Sequence, residues 1–237
     1  MAKPFHFKEF SIQQDRCAMK IGTDGVLLGA WTSLEGKPNS ILDIGAGTGV
    51  IALMMAQRSS AELIDAIEID ENAYEQCVEN FEESIWNDRL FCYHASLEEF
   101  VEEIDETYDV IISNPPFHEE NYQTPDTQRN KARFTDSLPT EELLKSSAKL
   151  LANNGILAII IPHQHEEKFL KEAKKHNLFP QQITHIKGNE TSPIKRSLLQ
   201  LGKKKQESKS STLVLEKERN IYTEEYQALV RDFYLNL

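Results

Sequence analysis

The sequence predicts an α/β fold with a doubly wound, mostly parallel sheet of seven strands. Apolar, strand-like runs alternate with helical segments between residues 40 and 176, an order that is typical of a parallel sheet covered by helices on both faces. The following stretch, 180–216, is rich in β-forming residues and is expected to add antiparallel strands at one edge. Residues 1–39 form an extension ahead of the first apolar run. We expect the whole chain, 1–237, to be one domain.

The individual elements follow from apolar patterning and from turn residues. Residues 5–19 alternate weakly and predict a short β-hairpin, and a helix is expected to begin at the capping pair Thr23-Asp24 and to end at Trp31. Composition predicts a flexible linker over 202–211, with a last strand at 212–216 and a last helix at 223–234. The sheet strands are predicted at 40–44, 63–69, 89–94, 108–113, 155–161, 181–187 and 197–201, and the helices between them at 48–58, 72–84, 96–104, 140–151 and 166–176.

Composition excludes several classes of protein. The chain has 237 residues, of which 40% are apolar, and three cysteines, Cys17, Cys77 and Cys92. No apolar run approaches the roughly 18 residues of a membrane span, and the N-terminus lacks the apolar core of a signal peptide. An odd number of cysteines without a CxxC pair argues against a disulfide scaffold or a zinc ribbon. A reducing cytoplasm is therefore the expected compartment.

The charge is distributed unevenly along the chain. A net charge of −12 at first argues against a nucleic-acid partner, because phosphate binding requires a basic surface. Residues 41–110, however, contain only Arg58 and Arg89 against eighteen acidic residues, whereas the two flanking segments together carry a net charge of +4. The acidic excess belongs to one block, and the flanks remain compatible with RNA.

The segment Asp43–Gly49 is typical of a ligand-binding turn between a strand and a helix. Gly45, Gly47 and Gly49 let the backbone turn tightly and bring peptide N–H groups close to a ligand. The spacing is one residue shorter than that of a dinucleotide site, and an acid at Asp43 would repel a pyrophosphate. S-adenosylmethionine carries an ammonium group and no phosphate, so it is the expected ligand. A purely structural connection is the alternative interpretation.

An acid at the end of the next strand supports the same ligand. Glu68 lies nineteen residues past Gly49 and can accept hydrogen bonds from both ribose hydroxyls. Asp70 is the competing candidate, and Glu68 is preferred because it stands directly at the strand end. Ile69, between the two acids, is expected to line the cofactor site.

The tetrapeptide Asn114-Pro115-Pro116-Phe117 follows the fourth strand, at the end where open α/β sheets bind ligands. An exocyclic amine conjugated to a purine is a poor nucleophile. The Asn114 side-chain oxygen and a backbone carbonyl, expected to be that of Pro115, can accept its two hydrogens and direct its lone pair at a methyl donor. The prolines hold these acceptors in place, and Phe117 offers a flat face for stacking a flipped base.

These motifs resemble those of class I S-adenosylmethionine-dependent methyltransferases that act on amino groups. The blocks FHFKEFSIQQDRCAMKIGTDGVLLGAW, LDIGAGTGVIALMMAQR, ISNPPF and RNKARFTDSL, in this order, are similar to the bacterial family that methylates the N6 amine of an adenine in valine tRNA. Members of that family modify adenine 37, just 3′ of the anticodon. The resemblance covers nearly the whole chain and implies a Rossmann-like fold, S-adenosylmethionine as cofactor and tRNA as substrate.

The resemblance also implies which residues contact the cofactor. Asp43 would reach the methionine ammonium, and the glycine turn the methionine and ribose. Many relatives have an aspartate after the third strand to contact the adenine amino group; this chain has His94-Ala95-Ser96, so Ser96 or a backbone group is expected to replace it. The expected cofactor-binding residues are Lys20, Thr23, Asp24, Asp43, Gly45, Ala46, Gly47, Thr48, Gly49, Glu68, Ile69 and Ser96.

Basic residues near the expected active site are candidates for RNA contact. Arg129, Lys131 and Arg133 lie in the long loop after the Asn-Pro-Pro-Phe motif, and Lys195 and Arg196 lie in a predicted hairpin. A solvated polar loop is the alternative interpretation. The methyl transfer needs no metal, and no metal site is predicted: the pair His163 and His165 is interpreted as a feature of a helix N-terminus.

Other functions remain open on the motifs alone. Protein-glutamine methyltransferases share the fold and a similar motif but carry an N-terminal helical domain, whereas only about 40 residues precede the glycine turn here. Ribosomal-RNA guanine-N2 methyltransferases and DNA adenine methyltransferases typically carry additional recognition domains. A non-enzymatic binding module would require the Asn-Pro-Pro-Phe motif to be vestigial.

Overall fold

The structure is a computed structural model that describes residues 3–116 and 138–236. The strands are β1 (Phe5–His6), β2 (Ser11–Ile12), β3 (Ser40–Ile44), β4 (Leu63–Glu68), β5 (Leu90–His94), β6 (Tyr108–Ser113), β7 (Leu151–Pro162), β8 (Phe179–Lys187), β9 (Ile194–Gly202), β10 (Lys209–Val214), β11 (Glu216–Glu218) and β12 (Ile221–Tyr222). The helices are α1 (Thr23–Trp31), α2 (Val50–Arg58), α3 (Glu71–Glu82), α4 (Leu97–Glu103), α5 (Thr140–Leu150), α6 (Glu166–Lys175) and α7 (Glu224–Val230). None of these helices is long and apolar enough to cross a membrane.

The central sheet confirms the predicted α/β class. Within the described residues it has eight strands in the order β10-β8-β9-β7-β6-β3-β4-β5. All neighbours are parallel except β9, which is antiparallel to both β7 and β8. The sheet therefore has one strand more than the expected seven, and the strand predicted at 212–216 joins it as β10.

The outer edge of the sheet differs from the prediction. β10 pairs parallel with β8, from Lys209 opposite Gln182 to Val214 opposite Lys187. The expectation of antiparallel strands in this region holds for β9 and is wrong for β10. The predicted linker is also too long, because the strand already begins at Lys209.

Two hydrophobic cores lie on opposite faces of the sheet because successive side chains of a strand point in opposite directions. On β3, Ile41 packs in the core that contains α1, α2, α3 and α7, and Leu42 packs in the core that contains α4, α5 and α6. The central strands are buried on both faces, so they read as nearly continuous apolar runs. Because these strands are parallel, their carboxyl ends lie together on one side of the sheet.

The N-terminal extension packs on the first core. Its hairpin is shorter than predicted and pairs β1 with β2 only. Phe7 lies among other aromatic rings, with its centroid 5.8 Å from that of Tyr234 near the C-terminus. Helix α1 begins at Thr23, as predicted, but its N-cap is Gly22 and no side chain caps it. Asp24 makes a different contact, described below.

Candidate active site

The carboxyl ends of β3, β4 and β6 bring the predicted motifs together. Ile44, the last residue of β3, lies opposite both Ile67 of β4 and Ser113 of β6. The Ser113 hydroxyl donates to the Ile44 carbonyl at 2.8 Å. The glycine turn and Asn114 therefore start side by side, although about seventy residues separate them in the chain.

The three glycines of the turn have different surroundings. All three have positive φ, +73° at Gly45, +55° at Gly47 and +77° at Gly49, which favours glycine. A Cβ at Gly45 or Gly47 would meet no atom within 4 Å, whereas one at Gly49 would lie 2.6 Å from Cε1 of Phe81 and 2.8 Å from Sγ of Cys77. Gly45 and Gly47 thus leave open space for a ligand, and Gly49 permits close packing against α3.

The two competing acids after β4 have distinct partners. Glu68 accepts from the backbone N–H of Gly47 at 2.8 Å and from that of Asp70 at 2.9 Å. The Asp70 side chain caps α3 by accepting from the N–H of Ala73 at 2.8 Å. Glu68 is therefore held against the glycine turn, and its carboxylate oxygens retain lone pairs that can accept hydrogen bonds from a ligand. The Asp70 side chain is already engaged as the cap of α3. The exposed side chain of Ile69 lies between them.

Asp43 lies beneath the turn and is fully buried. Its Oδ2 accepts from the N–H of Ala52 in α2 at 3.1 Å, and its Oδ1 has no hydrogen-bond partner within the described ranges. Burial raises the pKa of this carboxyl, the Ala52 hydrogen bond lowers it in part, and the negative charge of Glu68 adds a smaller increase, so that the pKa is about 7. A nearby cation would stabilise the ionised form. The direct contact with an ammonium group that the sequence predicts remains a prediction.

Ser96 has a structural role that the sequence also signals. It is the N-cap of α4 and forms a capping box, in which its hydroxyl accepts from the N–H of Glu99 and the Glu99 carboxylate accepts from the N–H and hydroxyl of Ser96. Both polar groups are thus engaged, and the predicted contact with the cofactor adenine remains untested. Next to it, the rings of His94 and Tyr74 stack with centroids 5.2 Å apart.

A buried asparagine that the motifs did not identify holds the turn in place. Asn80 of α3 donates to the carbonyl of Thr48 at 2.8 Å and to that of Gln13 at 3.0 Å, and it accepts from the Gln13 N–H at 2.8 Å. It connects the glycine turn to the N-terminal segment. A polar residue on the buried face of an amphipathic helix is the only sequence signal for this role.

The Asn-Pro-Pro segment lies where α1 and α2 meet. Asn114 is half-buried and Pro115 is buried. A Cβ at Gly25 would lie 3.9 Å from Nδ2 of Asn114 and 3.7 Å from Cγ1 of Val50, so Gly25 lets α1 approach this site closely. Pro116 completes the described part of the motif; Phe117 lies outside the described residues.

The N-terminal cofactor candidates lie at the start of α1 or shortly before it. Lys20 and Thr23 are exposed. Asp24 forms an ion pair with Arg196, with its Oδ2 2.8 Å from Nε. Two residues predicted for different ligands, cofactor and RNA, therefore bind each other, and Arg196 is positioned by α1.

The basic residues at the two ends of β9 lie on opposite sides of the sheet, one at the carboxyl ends and one at the amino ends of the parallel strands. Because β9 is antiparallel, its first residues, which include Lys195 and Arg196, lie beside Pro162 and Lys187 at the carboxyl edge. The basic run Lys203–Lys205 follows the other end of β9. The ammonium group of Lys203 donates to the Leu151 carbonyl at 2.6 Å, at the start of β7.

Lys195 and Arg196 are thus on the side of the candidate site, and the lysine run is not. The remaining candidates for RNA contact, Arg129, Lys131 and Arg133, lie outside the described residues.

Comparisons with known proteins agree with this architecture. Residues 22–179 match the family model described as "Methyltransferase small domain". Among solved structures, a predicted O-methyltransferase from Agrobacterium tumefaciens matches with a TM-score of 0.69 and 18% identity over 91% of this chain and 100% of that chain. A putative class I S-adenosylmethionine-dependent methyltransferase from Listeria monocytogenes matches with a TM-score of 0.56 and 17% identity, over 83% of this chain and 65% of that one. These likenesses establish the class I methyltransferase fold.

Curated relatives are much closer in sequence. A protein of Christiangramia forsetii named "tRNA1(Val) (adenine(37)-N6)-methyltransferase" is 62% identical over 99% of both chains. Proteins of the same name from Flavobacterium johnsoniae and Yersinia enterocolitica are 56% and 40% identical, each over 98% of this chain and over 100% and 92% of their own lengths. The chain belongs to the family of tRNA1(Val) (adenine(37)-N6)-methyltransferases.

Proposed function

We propose that this protein transfers a methyl group from S-adenosylmethionine to the N6 amine of adenine 37 in tRNA1(Val). The observation that carries the proposal is the meeting of the glycine turn and Asn114 at paired strand ends, Ile44 and Ser113. A donor held at the turn and an amine held at Asn114 would thus be neighbours. The relatives' names supply the tRNA and its position.

The residues around the turn fit the cofactor. Gly45 and Gly47 leave space above the backbone. Each carboxylate oxygen of Glu68 accepts one backbone hydrogen bond and retains a lone pair for a ribose hydroxyl. Oδ1 of Asp43, which has no hydrogen-bond partner among the described residues, lies beneath the turn, and the ionised form of this carboxyl suits a cationic ligand. S-adenosylmethionine, when bound, supplies a methyl group on a positively charged sulfur.

The Asn-Pro-Pro segment would prepare the amine for attack. Asn114 Oδ1 and the Pro115 carbonyl each accept one N6 hydrogen, which favours a pyramidal nitrogen with its lone pair directed at the methyl carbon. The N–C bond forms as the S–C bond breaks, and one N6 proton then leaves to solvent. Asn114 is half-buried, so its acceptor acts in a partly dehydrated site, where its electrostatic effect is larger than in water.

The RNA would approach the carboxyl edge of the sheet. Lys195 is exposed there, and Arg196 is held nearby by Asp24. The basic residues Arg129, Lys131 and Arg133 belong to the segment that directly follows the Asn-Pro-Pro-Phe motif in the sequence. A tRNA substrate places the proposed activity in the cytoplasm.

Methyl-group transfer from labelled S-adenosylmethionine tests the proposal. Unmodified tRNA1(Val), the same transcript with adenine 37 changed to guanine, ribosomal subunits, DNA and release factor are offered separately. We expect label in the first RNA alone. Label in ribosomal RNA or in the release factor would instead support guanine-N2 or glutamine methylation, and equal label in both tRNA transcripts would show that the acceptor is not adenine 37.

A further inference from the structure

A cluster of two histidines and one glutamate lies outside the candidate active site. His163 follows β7, Glu166 is the first residue of α6, and His185 lies on β8. The Nδ1 of His163 is 3.2 Å from Oε2 of Glu166, and the Nε2 of His185 is 2.9 Å from the same oxygen. One potential ligand atom from each residue lies within 4.8 Å of the other two. Three side chains from three elements thus converge on one point.

The geometry and chemistry of this cluster fit zinc. Two ligands at about 2.0–2.2 Å from a tetrahedral Zn²⁺ ion are about 3.4 Å apart, close to the two separations that involve Glu166. Two imidazole nitrogens and one carboxylate oxygen form a common zinc ligand set, which leaves one position for water. We propose that His163, Glu166 and His185 bind one Zn²⁺ ion.

Solvent can reach the cluster. The side chains of His163, Glu166 and His185 are 36%, 16% and 23% exposed, respectively, so an ion has an entry path and its fourth position can hold water. Residues this accessible can bind a metal after folding, and an unfolding step is not required for exchange.

A fourth side chain supports the ligands from the next strand. The Ser197 hydroxyl of β9 donates to Glu166. The same hydroxyl oxygen lies 3.0 Å from the Nδ1 of His163. Outer partners of this kind orient metal ligands. Ser197 and the two imidazole rings all contact the same oxygen, Oε2 of Glu166.

The location suggests what the ion would do. Ser197 directly follows Arg196, which pairs with Asp24 at the start of α1. An ion that joins the ends of β7 and β8 to α6, with β9 held through Ser197, would fix the strand end that presents Lys195 and Arg196. This role in positioning the strand end does not require the ion to contact the methyl donor or the N6 amine.

Calorimetric titration with ZnCl₂ tests the site. Full-length protein without an affinity tag is first freed of metal with a chelator that is then removed. We compare the unmodified chain with His185→Ala and Glu166→Gln; the matched control is His6→Ala, since His6 lies in the N-terminal hairpin and bonds to Ser11. Even an outer partner of a metal ligand contributes about 10- to 100-fold to affinity. We therefore expect one ion per chain in the unmodified and His6→Ala proteins, and affinity at least about 100-fold lower in the other two variants.

Glu166→Gln keeps the side-chain shape and a hydrogen-bond acceptor for Ser197, so it serves if His185→Ala fails to fold. Circular dichroism checks the fold of every variant. A further measurement needs no variant: Co²⁺ added to the metal-free protein should give the intense visible absorption of a tetrahedral site. Absence of Zn²⁺ binding, equal binding by the ligand variants, or the weak spectrum of octahedral Co²⁺ would overturn the proposal.

Discussion

Replacement of the buried carboxylate beneath the glycine turn, Asp43→Asn, should change how stability depends on pH. Asp43 is fully buried, and burial raises its pKa to about 7. An unfolded aspartate has a pKa of about 3.9. The folded protein therefore binds this proton more tightly than the unfolded chain, and stability that is present below about pH 4 is lost as the pH rises through about 7.

The size of the effect follows from the two pKa values. The folded and unfolded pKa values of Asp43 differ by about three units. This difference lowers the free energy of unfolding by about 4 kcal/mol once the group is ionised in both states, and by about 1.5 kcal/mol at pH 5. The asparagine variant has no such pH-dependent loss. Between pH 5 and pH 8.5, the free energy of unfolding of the variant should therefore rise by about 2.5 kcal/mol relative to that of the unmodified protein.

Urea unfolding of both proteins at the two pH values measures this gain, because the other titrating groups are shared and cancel in the difference. The variant should also bind S-adenosylmethionine more weakly, since it lacks the negative charge beneath the turn. Asp65→Asn is the matched control: Asp65 is a buried aspartate of β4 whose Oδ2 accepts from the Tyr108 hydroxyl at 2.6 Å, in the other core. It should leave cofactor affinity unchanged. If the stability difference between Asp43→Asn and the unmodified protein is the same at both pH values, the reasoning is refuted.

Three further predictions concern the turn and the RNA surface. Asn80→Ala removes three hydrogen bonds and should lower the free energy of unfolding by about 3 kcal/mol in urea titrations, and a loss below about 1 kcal/mol would contradict its role. Gly49→Ala combines the cost of positive φ, about 1–2 kcal/mol, with a steric clash, and should destabilise the fold more than Gly45→Ala, which has room for a methyl group. The glycine prediction fails if thermal unfolding ranks the two variants the other way. Lys195→Ala should raise the KM for tRNA and reduce the salt dependence of binding by roughly one phosphate contact. Lys204→Ala, at the opposite ends of the strands, should change neither quantity. Equal effects of the two substitutions would contradict the proposed RNA-binding side of the sheet.

The fold was largely predictable because its signals are local. The apolar runs of the central strands and the glycine turn each lie within a few residues of sequence. The start of β10 was harder to predict, since Lys209, Ser210 and Ser211 favour a linker by composition. The structure gives the reason for its direction: β9 ends at the amino edge of the sheet, so the next strand starts there and runs parallel to β8.

The candidate site was predictable only where a motif carries it. The glycine turn, Glu68 and Asn114 each lie at the end of a predicted strand. Their proximity could be predicted because the carboxyl ends of neighbouring parallel strands meet. Contacts between residues far apart in sequence have no such signal. Asn80 with Gln13, Asp24 with Arg196, and His185 with Glu166 meet only through the packing of separate elements.

Mass-spectrometric mapping of tRNA1(Val) from cells that lack this protein tests the central claim most directly. The same cells are then supplied with either the unmodified protein or Asn114→Ala, and purified Asn114→Ala is checked for S-adenosylmethionine binding. We predict that adenine 37 loses its N6 methyl group without the protein, regains it with the unmodified chain, and stays unmethylated with the variant, which still binds the cofactor. A methyl group that persists on adenine 37 in the cells without the protein, or that is restored by Asn114→Ala, would contradict the account.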